Sequence, residues 1–186
     1  MKRVIALVMI SLILFGCASD HSYMDRALSL RERILKSETC TFDACVTADY
    51  GEMIYTFDMQ CHSEHSGAIN FVVTKPDSIS GISGTISAES GQIAFDDKVL
   101  AFSTIAEGQI TPVSTPWVFF NSLKNGYLRA CSKEKDGYLL CIDDSYKEDA
   151  LRLDVWIDET DQPISADILW QGKRIMSIRV SNFTIV

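Results

Sequence analysis

From Thr41 onward the chain reads in steps of two. Phe42, Ala44, Val46, Ala48 and Tyr50 alternate with Thr41, Asp43, Cys45, Thr47 and Asp49, and after a turn at Gly51 the apolar set resumes at Tyr55, Phe57, Met59 and Cys61. Side chains that alternate in this way stand on opposite faces of a strand, so each of these segments commits one face to a core and leaves the other wet. A third strand carries Ile69, Phe71 and Val73 inward and stops at Lys75-Pro76. Shorter strands are predicted over 79–86, 92–95 and 99–102, and further ones over 128–133, 138–143, 151–158, 164–170 and from 174 to the C-terminus. About ten strands are more than a flat open sheet holds without curling. The expected fold is therefore mainly β (α+β), a strongly curved antiparallel sheet or incomplete β-barrel.

Two helices interrupt this pattern. Between residues 24 and 37, Met24, Ala27, Leu28, Leu30, Ile34 and Leu35 fall mostly on one side of a 3.6-residue repeat, with Arg31, Glu32, Arg33 and Lys36 at polar positions. Near the middle, Thr115-Pro116-Trp117 followed by Val118-Phe119-Phe120 and closed by Asn125-Gly126 supplies a capping hydroxyl, a proline at the first helical position and a glycine just past the end. That is a short, bulky inserted helix.

The first residues carry a different signal. Met1-Lys2-Arg3 is a positive n-region, residues 4–15 are apolar except for Ser11, and the run ends in Leu14-Phe15-Gly16-Cys17. This ending resembles the bacterial lipobox, which implies cleavage before Cys17 and diacylglycerol on its sulfur. The expected organisation is a lipoprotein signal peptide over 1–16, a lipidated tether over 17–22 and one domain over 23–186. The expected location is the cell envelope, on the outer face of the cytoplasmic membrane, or the outer membrane where the cell has one. Ala18, rather than Asp, after the cysteine resembles the signal for such onward sorting.

Loss of Lys2 and Arg3 with the signal leaves 15 basic residues against 25 acidic ones, a net charge of −10. An acidic body argues against nucleic acid as a partner, because phosphate binding is driven by clustered Lys and Arg. An acidic body is also repelled by anionic headgroups, so attachment to the membrane falls to the lipid.

The order of a lipobox, an N-terminal helix, strands of which the third ends in Val73-Thr74-Lys75-Pro76, an inserted helix and a closing meander resembles the LolA/LolB lipoprotein-carrier superfamily. The resemblance spans nearly the whole mature chain. It implies an incomplete barrel wrapped around a helical lid, with an apolar cavity that accepts an acyl chain, lipid or lipoprotein. The basic residue that latches the lid in the soluble carrier has no assignable counterpart in the sequence. The residues themselves list Phe42, Tyr55, Phe57, Met59, Phe71, Phe95, Leu140, Val155, Ile168 and Trp170 on the inner face, large and adaptable side chains suited to acyl contacts. Trp117, Phe119 and Phe120 form the lid. The same residues equally describe a solid core, and the sequence leaves both readings open.

Catalytic constellations are not assembled. Gly81-Ile82-Ser83-Gly84 lacks the glycine spacing of a hydrolase elbow. Cys61, His62 and His65 offer three ligands where structural zinc takes four, and Asp143-Asp144 with Glu148-Asp149 lacks the glycine and ligand alternation of a calcium loop. With no phosphate loop or dinucleotide fingerprint either, no enzyme, metal or cofactor is expected.

With Cys17 lipidated, five cysteines remain in an oxidising compartment. Alternation around a turn at 134–137 predicts Cys131 directly opposite Cys141, where a disulfide fits. Cys40 and Cys61 share the inner parity and form a second candidate pair, while Cys45 points outward. Two functions follow: a lipid-handling module, or a membrane-anchored protein-binding or sensory domain with a filled core, for which outward Trp156 speaks. The anchor has a direct test. Cys17→Ser abolishes acylation and moves the protein from the detergent phase to the aqueous phase on partition; equal retention of the variant refutes the anchor.

Overall fold

The computed structural model describes residues 19–64, 67–87 and 110–186. In chain order the elements are helix α1 (Ser19–Lys36), strands β1 (Thr39–Asp49), β2 (Ile54–Glu64), β3 (Ile69–Lys75) and β4 (Ser83–Ile86), helix α2 (Thr115–Asn125), and strands β5 (Tyr127–Glu134), β6 (Gly137–Asp143), β7 (Arg152–Asp158), β8 (Pro163–Trp170) and β9 (Lys173–Ile185). The strands form one antiparallel sheet in the order β4-β3-β2-β1-β9-β8-β7-β6-β5, open between β4 and β5. The mainly β architecture expected from the alternation is present, with nine strands among the described residues. Two differences are local. Only 83–86 of the predicted 79–86 strand is extended, because Asp77–Ile79 closes a 3-10 turn after Pro76. The strands predicted over 92–95 and 99–102 lie outside the described residues.

Register explains why the sheet has a single apolar face. Phe57 lies opposite Val46, Val46 opposite Ile178, Ile178 opposite Ala166, Ala166 opposite Val155, Val155 opposite Leu140, and Leu140 opposite Cys131. This row crosses seven strands, and each of its members is buried. Bulges in the β1–β9, β2–β3, β5–β6, β7–β8 and β8–β9 pairings interrupt the ladders, and such bulges bend and twist a sheet.

Both helices pack on the inner face. α1 buries Ala27, Leu30 and Ile34, spaced three and four apart, whereas Leu28 and Leu35 are about half exposed. The buried stripe is thus narrower than the predicted one. The helix also begins at Ser19, so regular structure takes in residues expected to belong to the tether. α2 has Pro116 in its first turn and stops at Gly126 as predicted, but its N-cap is Ser114 and not Thr115. Thr115 is fully buried, its hydroxyl donating to the Thr111 carbonyl at 3.3 Å.

The β5–β6 hairpin corrects the expected disulfide. Glu134 pairs with Gly137 across the two residues Lys135 and Asp136, which sets Cys131 opposite Leu140 and Cys141 opposite Ala130. A one-residue difference in register moves a side chain to the other face. Cys131 is accordingly buried inside and Cys141 sits on the outer face, so the two are not bridged to each other.

Gly137 holds that register. Its φ is +147°, and a Cβ there would stand 1.9 Å from the Ile157 carbonyl oxygen. Gly137→Ala is predicted to cost about 3 kcal/mol or more in urea unfolding. Gly172→Ala, at φ +76° with nothing within 4 Å of the added Cβ, costs only about 1 kcal/mol of left-handed strain. Equal losses at the two positions would contradict the packing described.

Candidate functional site

The predicted lining converges on the inner face. Phe42, Phe57, Met59, Phe71, Leu140, Val155 and Ile168 are each 4% exposed or less and belong to one continuous core with α2. Side chains with so little accessible surface have no water-sized space beside them, so the interior at these residues is filled. Tyr55 departs from the prediction. It keeps the inner parity but lies near the start of β2 beyond the covered part of the sheet, 39% exposed, its ring edge-on to Tyr50 at 5.6 Å. Trp170 follows the β8–β9 bulge and is only partly buried at the margin of the core, its indole Nε1 without a hydrogen-bond partner. Phe95 and the lipidation residue Cys17 lie outside the described residues.

α2 fills the concave space directly. Phe119 and Phe120 are fully buried and their rings stand 5.9 and 6.2 Å from that of Phe42, which meets Phe183 on its other side at 5.9 Å. Aromatic clusters at such spacings contribute beyond simple area burial. Trp117 is half-buried and donates its indole N–H to the Gly67 carbonyl at 3.2 Å. The Thr115 Oγ1 also lies 2.8 Å from Met176 Sδ, seating the start of the helix on β9.

The end of α2 is held by a residue that sequence reasoning did not single out. Arg31 of α1 donates from Nε to the Leu123 carbonyl at 2.7 Å and from Nη2 to the Ser122 carbonyl at 3.2 Å. The last carbonyls of a helix lack intrahelical partners and carry partial negative charge, so a guanidinium there meets both a hydrogen-bonding and an electrostatic need. Partial burial of Arg31 lowers its pKa from the usual value, which leaves it charged at any physiological pH. Beside this contact, the Ser122 hydroxyl is buried with no hydrogen-bond partner. No sequence signal marks Arg31, because its acceptors are main-chain atoms some 90 residues away.

A groove lies on the other face of the sheet. It measures about 640 Å³ and is lined by Thr41, His62, Asn70 and Thr85, one register row across β1 to β4, together with Asp43 and Asn182. Thr85 donates to Asn70 Oδ1 at 2.6 Å, and Asn182, at φ +53°, donates to Asp43 Oδ2 at 2.6 Å. Phe42, Cys61, Phe71 and Val72 complete the lining, so the groove sets these hydroxyls and amides beside apolar surface.

The remaining candidates resolve into structure. Ser83 is exposed on β4. Among the described residues no group of three or more potential metal ligands is assembled, and His65 lies outside them. Asp144 accepts the Leu151 N–H at 2.9 Å, closing the acidic loop between β6 and β7. Trp156 stands on the outer face, half-buried. Cys40 and Cys61 are buried near one another on β1 and β2 and free, Cys40 being opposite Ser63 and Cys61 opposite Phe42.

No family model matches the chain, and no curated protein matches it at a significant level. Solved structures do resemble it. An uncharacterized conserved protein from Thermus thermophilus is 14% identical with a TM-score of 0.44, over 86% of this chain and 87% of that one. The LolA superfamily protein NE2245 from Nitrosomonas europaea is 9% identical with a TM-score of 0.44, over 91% and 94%. An outer membrane lipoprotein-sorting protein domain from Vibrio parahaemolyticus is 6% identical with a TM-score of 0.38, over 89% and 92%. The superfamily suggested by the sequence is represented among these structures. At such identities and TM-scores they carry no argument about what this chain does, which rests on its own geometry.

Burial separates the thiols chemically. It pushes the Cys40 pKa up to about 12; burial, with Asp43 and Cys40 nearby, pushes that of Cys61 higher still. Thiolate is the reactive form. In native protein at about pH 8, iodoacetamide is predicted to label the half-exposed Cys45 while Cys40 and Cys61 react only in urea. Native labelling of Cys40 or Cys61 at the rate of Cys45 would show that the inner face is open.

Proposed function

We propose that this chain is a lipid-anchored envelope protein that binds its ligand without transforming it, and that it takes an acyl chain, of a lipid or a lipoprotein, beneath α2. The anchor is Cys17, through the lipobox. The observation that carries the reading is the way α2 closes the inner face. The eleven-residue helix α2 fills the inner face beside α1 with Phe119 and Phe120 against Phe42, and Arg31 fastens its C-terminal end. An acyl chain entering there replaces one set of apolar contacts with another, and release of the Arg31 contacts frees the end of the helix.

A second reading is favoured by the near-zero exposure of the lining residues. In it the core stays filled and the domain recognises a protein partner through its outer surface.

Displacement of a fluorescent fatty acid, paired with urea unfolding, separates the two. Under the first reading wild type binds the probe, and Arg31→Gln, which unfastens α2, increases affinity or speeds uptake. Under the second, neither protein binds it, and Phe119→Ala costs about 3 to 5 kcal/mol as in any close-packed core.

A further inference from the structure

The outer face of the sheet carries two kinds of surface. Much of it is laced with opposite charges, Asp58 paired with Lys75, Arg152 with Asp154 and Arg174 with Asp167. The groove of about 640 Å³ over β1 to β4 is different, for its lining contains no lysine, arginine or glutamate and a single acid, Asp43. Its volume falls in the range of small-molecule sites.

Two register rows build this groove. Thr85, Asn70, His62 and Thr41 form one, and Ser83, Val72, Gln60 and Asp43 the next. Val72 is 41% exposed and stands between the polar side chains of its row. Along one side, a bulge sets Asn182 and Phe183 of β9 against the single residue Phe42 of β1. Bulges re-aim side chains, and this one turns Asn182 onto the outer face beside Asp43.

The internal hydrogen bonds leave complementary groups unspent. Asn70 accepts the Thr85 hydroxyl through Oδ1, so its amide N–H groups remain as donors. Asn182 commits its amide nitrogen to Asp43, so its Oδ1 remains as an acceptor. Gln60 offers both kinds of group, and among the described residues no side-chain hydrogen bond engages it.

This inventory selects the chemistry of an occupant. A phosphate or carboxylate ligand calls for arginine or lysine, and the groove has neither. An extended peptide draws its affinity from main-chain partners at a sheet edge, but β1, β2 and β3 are each paired on both sides. A sugar hydroxyl both donates and accepts, as the hydroxyls of serine and threonine do, and so satisfies a mixed set of amides. The C–H face of a sugar ring covers apolar surface at the same time. We infer that this groove binds a neutral saccharide, its hydroxyls meeting Gln60, Asn70 and Asn182 and a ring face lying on Val72. The groove is across the sheet from α2, so its occupancy needs no opening of the core and is independent of any acyl ligand.

Saturation-transfer NMR on the full-length protein with maltotetraose, chitotetraose and trigalacturonate tests the site. At least one of the two neutral oligosaccharides is expected to bind saturably, and the anionic one, facing Asp43 and a chain of net charge −8, is not. Gln60→Ala combined with Asn70→Ala should weaken binding about tenfold through the lost hydrogen bonds. Ser177→Ala, on the same face but outside the groove, should leave it unchanged. Urea midpoints establish that the variants are folded, and the near-isosteric Gln60→Glu should weaken binding in the same sense if the double variant is unstable. No saturable binding of either neutral oligosaccharide, equal binding of trigalacturonate, or unchanged affinity in the Gln60 and Asn70 variants overturns the assignment. An uncharged serine and glycine octapeptide that binds where both neutral oligosaccharides fail would make the groove a peptide site and overturn it equally.

Discussion

The apolar row that runs from Phe57 on β2 to Cys131 on β5 is the constraint on which the rest of the structure depends. An antiparallel sheet tolerates water on one face only, and here the inner side chains of at least seven strands are committed to the same side. Bulges bend the sheet around that side, and the two helices are what the chain places inside the bend. α1 contributes a narrow stripe at Ala27, Leu30 and Ile34, so α2 must contribute the bulk, which it does with Val118, Phe119, Phe120 and Leu123. The positions of Arg31 and Thr115 then follow. Each secures one end of a helix whose middle is already committed to the interior.

Much of this was legible because period-two alternation is a direct consequence of strand geometry. The inner residues of β1, β2 and β3 could be read one by one, and the inserted helix announced itself through Pro116 and Gly126. What escaped reading depends on where things end or how they align. Tyr55 has the right parity, but parity does not say how far the helices cover a strand. Cys131 and Cys141 have the right strands, but a two-residue turn at Lys135 and Asp136 shifts the pairing by one residue. The narrower face of α1 reflects what the sheet can accept, a tertiary property that helical periodicity does not contain.

Arg31 illustrates a different limit. On a helical wheel it is one polar residue among several, beside Glu32 and Arg33, and its acceptors are carbonyls that any sequence would supply. Only the approach of α1 to the end of α2 gives it a role. The candidate cavity shows the complementary case: most of its residues stand on the inner face, yet residue type cannot distinguish a lined space from a filled one. Exposure distinguishes them, and the values at Phe42, Met59, Val155 and Ile168 describe a closed interior.

A closed interior sets terms on any ligand. Burying a large apolar side chain is worth roughly 1.5 to 3 kcal/mol, so lifting Val118, Phe119, Phe120 and Leu123 of α2 into water would cost about 6 to 12 kcal/mol. The whole stability of a domain is about 5 to 15 kcal/mol. α2 therefore does not open into solvent ahead of a ligand to any useful extent. Whatever enters has to present apolar surface as Phe119 and Phe120 withdraw, so that contacts are exchanged and not simply lost. An acyl chain leaving a bilayer meets that requirement where the domain stands close to the surface, within the few residues between Cys17 and α1. A domain on a long, flexible tether would meet acyl chains only as rare monomers in water. Under the proposed Cys17 anchor, the short connection and the filled interior are compatible with lipid handling only as a pair: close tethering would supply the apolar environment in which exchange occurs without the cost of an empty cavity.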